Sequence, residues 1–508
     1  MSAENKKLEG QPNIILILTD QERSTMHFPD GWEEENLVNM TKLKQDGFTF
    51  NKNYCNTCMC SPSRSTLFAG SYPAHHGVKD TLTYGGAMSS AETQLDRSLP
   101  NLASMLGDEG YNVHYRGKWH LSKGDSTEDA SPAEIATFGF KGWISPDAGE
   151  DTKPENFGGG YADHDNAYVQ QAVKFLQAVK EGKEKEPFCL VVSLVNPHDV
   201  LAYPNQTSFG YSEADYSGRD IALPSTNDEN LARNHKPTAH AQLRAIMQAG
   251  LGVLKNEDME LDYINFYGHL LTKIDQSMTP IIDELYDSSN GTSLADSSYV
   301  IRTGDHGELG MAHGGLRQKA FNMYDEAIRV PLIISNPIAF GNSSDQSTGN
   351  VSSLVDLLPT IGNLCNIDPA NISSSFVGTD LTPMMFENDT PVQDHVLFTF
   401  DDVKAGSNSN PRVVNAADRI RAVIEKDWKY ARYFDALGSY EEEYEMYDLK
   451  NDPNELNNVA NKKNPDYYKP EYVVQRERLE KKLEKAEKEL LIPTKNPVNE
   501  NAFIEDLI

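Results

Sequence analysis

The chain has 508 residues, 38% hydrophobic and 24% charged, with 26 prolines and five cysteines. That composition excludes disordered, collagen-like and disulfide-scaffold classes, and the length leaves room for roughly three units of ordinary size or for one large α/β domain plus a smaller partner. Lys and Arg number 46 against 76 Asp and Glu, a formal net charge of −30, and such a field repels nucleic acid, anionic membranes and heavily sulfated polymers while admitting a small anion to a locally positive pocket.

Met1–Gly10 is polar and Asn13–Leu18 is too short to cross a bilayer, so a cytoplasmic, membrane-free protein is expected. Five cysteines without a disulfide framework agree, and the Asn-x-Ser/Thr triplets at Asn205 and Asn290 then read as chance matches.

In chain order, the apolar run Ile14–Leu18 reads as a strand that delivers Thr19, Asp20 and Gln21. Cys55 and Cys58 form a Cys-x2-Cys half-site for zinc, but no second ligand pair follows at suitable spacing. Ser61 suits a helix N-cap and Pro62 the first helical position. That places Cys60 just outside a helix N-terminus, where N–H groups attract an anion, and Arg64 can reach back to a tetrahedral oxyanion.

A helix over Ser98–Gly107 precedes a strand, Asn112–Tyr115, that leads to Arg116, Lys118 and His120. A helix over Asn166–Lys180 precedes Phe188–Val195, which leads to Asn196, His198 and Asp199. Tyr263, Phe266, Leu270, Ile274 and Met278 fall at helical spacing in Tyr263–Tyr286. The strand Tyr299–Thr303 leads to Asp305 and His306, and Val330–Ser335 is a further strand. Loop-like composition marks Ser122–Pro132, Ser145–Gly160, Asn205–Asp220 and Gly341–Asn350, long inserts of the kind that shape binding sites.

Beyond Asp394, the consecutive strands Val396–Phe400, Ile420–Ile424, Trp428–Tyr433 and Glu445–Leu449 read as antiparallel. A Lys/Glu-rich helix starting near Val474 carries Leu479, Leu483, Ala486 and Leu490 on one face. Packing on its own unit is the first reading of that face, and a homo-oligomer contact the other. The pattern predicts an α/β fold: a large, mostly parallel sheet between helices in residues 1–393 and an antiparallel α+β subdomain in 394–508. In such a sheet, ligands bind beyond the carboxyl ends of the strands, so the reactive groups after four strands should meet on one rim.

Cys60-Ser-Pro-Ser-Arg64-Ser-Thr-Leu-Phe-Ala-Gly70 resembles the hallmark of the type I sulfatases, of the alkaline phosphatase superfamily. Pro12–Asp20, Gly117-Lys-Trp-His-Leu121, Asn196-Pro-His198, Thr303-Gly-Asp-His-Gly307, Arg317-Gln-Lys319, Tyr324–Pro331 and Tyr447–Pro453 support it in the family's order. The resemblance implies that a formylglycine-generating enzyme oxidises Cys60 to formylglycine, whose hydrate is the nucleophile. It implies one divalent cation on Asp20, Asp305, His306 and the modified Cys60, with Gln21 beside it; Ca²⁺ is the first choice and Mn²⁺ or Mg²⁺ the alternatives. By the same resemblance Arg64, Lys118 and Lys319 hold the nucleophile and the sulfate, His198 protonates the leaving alcohol and His120 takes the proton that releases sulfate. The implied activity is hydrolysis of a small or short sulfate monoester.

Gln21 and His306 stand where the commonest arylsulfatases have Asp and Asn, as in choline sulfatases, some sugar sulfatases and phosphonate monoester hydrolases. Ala69-Gly70-Ser71 replaces the usual Thr-Gly-Arg. The rival readings are a phosphonate monoester or phosphodiester hydrolase with the same nucleophile, and a non-catalytic protein that binds sulfated ligands or metal.

Overall fold

The computed structural model describes residues 5–124, 130–148, 159–289, 291–341 and 346–492. Asn290 and parts of the expected loops Ser122–Pro132, Ser145–Gly160 and Gly341–Asn350 lie outside the described residues.

Seven strands form the large sheet: β1 (Asn13–Asp20), β2 (Gly47–Tyr54), β3 (Asn112–Gly117), β4 (Phe188–Pro197), β5 (Ser298–Gly304), β6 (Leu332–Ser335) and β7 (Gln346–Ser353), in the order β3-β4-β1-β5-β6-β2-β7. Every residue of β1, β4 and β5 is buried, as in a sheet covered on both faces. Side chains of β1 alternate between two cores: Ile14, Leu16 and Leu18 enter one, Ile15 and Ile17 the other. The helix Gly159–Lys180 packs on β3 and β4, and Glu257–Ser277 packs on β4, so both cover the same stretch of sheet.

The strands β3, β4, β1 and β5 are adjacent and parallel, which brings the residues that follow them to one rim. β2 runs in the same direction and ends in the segment that leads to Cys60. The strand expected at Val330–Ser335 begins at Leu332 and is antiparallel to both neighbours. Residues 305–331 stay at the carboxyl end of β5 instead of crossing the sheet, so the chain must return in the opposite sense.

Other boundaries moved for local reasons. The helix expected at Ser98–Gly107 is Leu102–Asp108, because Asn101 caps it by accepting from the amides of Ala103 and Ser104. The helix expected at Tyr263–Tyr286 is two helices, Glu257–Ser277 and Thr279–Tyr286, meeting at Met278 where Pro280 lacks an N–H for a continuous helix. The loop expected at Gly341–Asn350 gives way at Gln346 to the edge strand β7, whose polar sequence carries little apolar signal.

A second sheet contains β8 (Val396–Phe400), β9 (Arg419–Ile424), β10 (Trp428–Phe434) and β11 (Glu443–Asp448), antiparallel throughout in the order β11-β10-β9-β8. One face, through Ile420, Ala422 and Tyr433, joins the main core. The other, through Val423, Tyr430 and Met446, packs on Leu479, Leu483 and Ala486 of the helix Pro470–Leu490. That helix therefore spends its apolar stripe on its own sheet.

Candidate active site

Asp20 ends β1, where the pairing with β4 shifts register, and Gln21 then turns the chain in the left-handed region at φ 69°. His120, just beyond β3, is also left-handed at φ 54°, and Asp147 clamps the turn by accepting from the amides of Trp119 and His120 at 2.8 Å each. Non-glycine residues pay a conformational cost in this region, and such cost concentrates at functional sites.

The helix carrying the thiol is Cys60–Ala69, with Met59 as its N-cap, so Cys60 opens the first turn and does not precede it. Ser61 is not the cap because its hydroxyl accepts from the Leu82 amide at 3.1 Å. Gly70 ends the helix at φ 59°, where a Cβ would meet the Phe376 ring at 2.7 Å.

Cys60 Sγ lies 3.2 Å from His306 Nε2 and 3.5 Å from Asp20 Oδ1. His306 Nδ1 donates to the Gly307 carbonyl at 3.1 Å, so Nε2 turns its lone pair to the centre, 3.7 Å from both Asp20 and Asp305. Ligand atoms of Asp20, Cys60, Asp305 and His306 all lie within 4.8 Å of one another, and the four residues are buried. Two carboxylates, an imidazole lone pair and a position-60 side chain suit a divalent cation, the more so if an oxygen replaces sulfur at position 60.

The charges are arranged around this quartet. Asp305 accepts from Arg64 Nε at 2.9 Å and from the amides of Gln21 and His306 at 3.0 and 2.8 Å. Burial, then the nearby Asp20, push its carboxyl up to about 7. Burial would raise Asp20 too, but Lys118 at 2.5 Å, with His198 and Arg64, holds it well below the usual range. Arg64 also reaches Ser193 Oγ at 2.7 Å and the Lys118 carbonyl at 3.1 Å. Burial and then Asp20 push the Cys60 thiol up, so an unmodified thiol here is neutral and a poor nucleophile.

Both histidines assigned to proton transfer sit at this centre. His198, beyond β4, is 2% exposed, and neither ring nitrogen has a protein partner among the described residues. Burial and then Lys118 hold it well below its ordinary pKa. His120 Nε2 donates to the Leu82 carbonyl at 2.7 Å, which leaves Nδ1 as a buried acceptor without a protein partner; burial and Lys118 keep it neutral. Lys319 Nζ donates to Gln21 Oε1 at 2.7 Å.

A family model described as Sulfatase matches residues 12–367, more than half of the chain, and one described as N-sulphoglucosamine sulphohydrolase, C-terminal, matches 313–489. The chain belongs to the sulfatase family. It is 24% identical to a Delta 4,5-hexuronate-2-O-sulfatase of Bacteroides thetaiotaomicron over 91% of this chain and 86% of the relative. It is 25% identical to a choline-sulfatase of Rhizobium meliloti over 89% and 83%. A solved phosphonate monoester hydrolase from Silicibacter pomeroyi shares the fold, with a TM-score of 0.68 at 18% identity over 94% of this chain and 96% of that one. As a member of this family the protein is a sulfuric ester hydrolase.

In this sulfatase the zinc reading finds no support among the described residues. Cys55 and Cys58 are buried with sulfurs 3.7 Å apart, and neither belongs to the two clusters with metal-ligand geometry. Cys189 and Cys365 are core residues. Sequence reasoning missed Ser193, Asp147, Glu308 and Asp165, whose carboxylate accepts from the Val195 and Asn196 amides at 2.7 and 3.0 Å just before His198. Only Glu308 lies beside a recognised motif; the others act across elements, and nothing in local spacing announces them.

Proposed function

We propose that this sulfatase hydrolyses a small or short sulfate monoester, such as a sulfated sugar or an alkyl or aryl sulfate, through Cys60 oxidised to formylglycine. The observation that carries the reading is Cys60 Sγ within 3.5 Å of both Asp20 and His306, at the rim where four parallel strands end. The named relatives act on a hexuronate and, by its name, on choline sulfate, which supports a small substrate.

Asp20, Asp305, His306 and the position-60 side chain would hold the divalent cation, Ca²⁺ first, with Mn²⁺ or Mg²⁺ as alternatives. Such an ion supplies Lewis acidity that lowers the cost of an alkoxide and draws charge from sulfate oxygens.

The chain's own residues do the rest. One hydroxyl of the hydrated aldehyde, ionised with its proton released to solvent, attacks sulfur as the ester's S–O bond to the alcohol breaks, with Arg64, Lys118 and Lys319 spreading the charge. Burial and then Lys118 keep the His198 imidazole neutral; once a bound sulfate ester offsets the Lys118 charge, His198 can carry the proton it gives to the departing oxygen. His120 Nδ1 then takes the proton of the second hydroxyl, the C–O bond to sulfate breaks and the aldehyde returns, to be rehydrated by water. A serine or thiol ester would lack this exit.

Sulfate release from matched aryl sulfate and aryl phosphonate esters, paired with mass spectrometry of the Cys60 peptide, tests the reading. An aldehyde mass and faster sulfate turnover are expected. Preferred phosphonate cleavage would move the protein to the rival activity, and an unmodified thiol in an active enzyme would end the formylglycine mechanism. Asp305→Asn is expected to lower bound metal, measured by elemental analysis, together with turnover.

A further inference from the structure

Lys319 lies on the rim segment between β5 and β6, 2% exposed, with Nζ 2.7 Å from Gln21 Oε1. The other end of the Gln21 carboxamide, Nε2, donates to Glu308 Oε2 and to Gln318 Oε1 at 3.3 Å. The chemistry of the two neighbours dictates this orientation: an ammonium only donates and a carboxylate only accepts, so the amide oxygen must face Lys319 and the amide nitrogen Glu308.

Glu308 is itself pinned. Its Oε1 accepts from Tyr263 Oη at 2.8 Å, the Gln318 amide at 2.8 Å and the Gly310 amide at 3.1 Å. Gln21 and Glu308 are fully buried. The backbone of Gln21 has a separate task, its N–H donating to Asp305 Oδ1 at 3.0 Å.

A carboxylate at position 21 would pair with Lys319 and cancel its charge beside an incoming anion. A neutral amide fixes the direction of the ammonium without setting a negative charge of its own against it, and the carboxylate that holds that amide, Glu308, sits one residue further back. From this geometry we infer that Gln21 and Glu308 are positioning residues that hold Lys319 against the sulfate group. The inference rests on the sulfatase reading above and gives Gln21 a role through Lys319 instead of on the cation.

The test is a double-mutant cycle in Cys60-oxidised enzyme: Gln21→Ala, Lys319→Ala and the pair, with Gln21→Glu and Glu308→Gln alongside. It reads KM and kcat for an aryl sulfate, the Kd of inorganic sulfate by calorimetry and bound metal by elemental analysis. Gln21→Ala is expected to raise KM and the sulfate Kd about tenfold, to retain its metal, and to cost nothing further when Lys319 is already alanine. Gln21→Glu, nearly isosteric but placing a second carboxylate against Glu308, is expected to weaken sulfate binding, with circular dichroism to check that its fold is kept; Glu308→Gln is expected to give a smaller loss that again vanishes in the Lys319→Ala background.

Multiplying losses in the double variant, loss of metal in Gln21→Ala, or unchanged sulfate affinity in Gln21→Glu would overturn the inference while leaving the sulfatase reading in place. A wild type that neither releases nor binds sulfate would overturn both.

Discussion

Cys60 is fully buried, yet its neighbours are an imidazole, a carboxylate and nearby ammonium groups, not hydrocarbon. Cys60→Ala is therefore expected to abolish turnover while changing stability by only about 1 kcal/mol, since a small side chain leaves a small void; turnover and denaturant midpoint measured on one preparation check both halves. His198→Ala is expected to slow esters of poorly acidic alcohols far more than activated aryl esters, which need little protonation. A flat response across a leaving-group series would remove His198 as the acid. Both residues were legible in the sequence, His198 because it follows a short apolar run and Cys60 because it opens a recognisable pentapeptide. The clamps behind them were not: Asp165 and Asp147 act through backbone amides of distant elements.

The four adjacent parallel strands explain why side chains almost three hundred positions apart can share one centre. The apolar runs behind β1, β3, β4 and β5 were visible; the direction of β6 was not, because alternation and burial are the same for either sense of a covered strand. β7 escaped notice because a polar edge strand is stabilised by its ladder to β2 more than by side-chain burial. At the other end, the helix Pro470–Leu490 is amphipathic and its stripe is occupied by β9 and β10. Leu483, 3% exposed, fills that interface, and Leu483→Ala is expected to cost about 3 kcal/mol. Urea unfolding would show this as a lower midpoint at unchanged slope.

Across the whole molecule, a buried ionic network ties the rim segment that carries Lys319 to the second sheet. His313 Nδ1 meets Glu229 at 2.7 Å, its Nε2 lies 3.4 Å from Glu326, and its ring stacks on Tyr324 at 3.6 Å. Tyr324 donates to Glu445 on β11 at 2.9 Å, and Lys429 on β10 reaches Asp325 at 2.7 Å and Glu455 at 2.8 Å. Burial disfavours the imidazolium, but Glu326 and Glu229 outweigh it and pull His313 from 6.5 up to about 9. A raised value means tighter proton binding in the folded state, so this contribution is complete below about pH 6.5 and lost as pH rises through about 9.

Glu326 and Glu229 are held below their ordinary range by His313 in spite of burial, so their share is present above about pH 4.5 and lost as pH falls. Stability is therefore expected to decline between about pH 7 and pH 9.5, and His313→Gln to flatten that limb. Denaturant titrations at a series of pH values check it.

Five of the seven strands of the large sheet, all but β2 and β7, could be read from the chain alone, as could the antiparallel character of the second sheet, the sulfatase motifs and the residues of the central quartet. Each leaves a short-range trace in apolar runs, turn residues or a pentapeptide. Tertiary structure decided the reversal of β6, the join of the second sheet to the main core, the burial of Cys60 and the hold of Glu308 and Gln21 on Lys319. These depend on which distant backbone or side chain arrives opposite, and long-range pairing leaves no periodic mark in a single sequence.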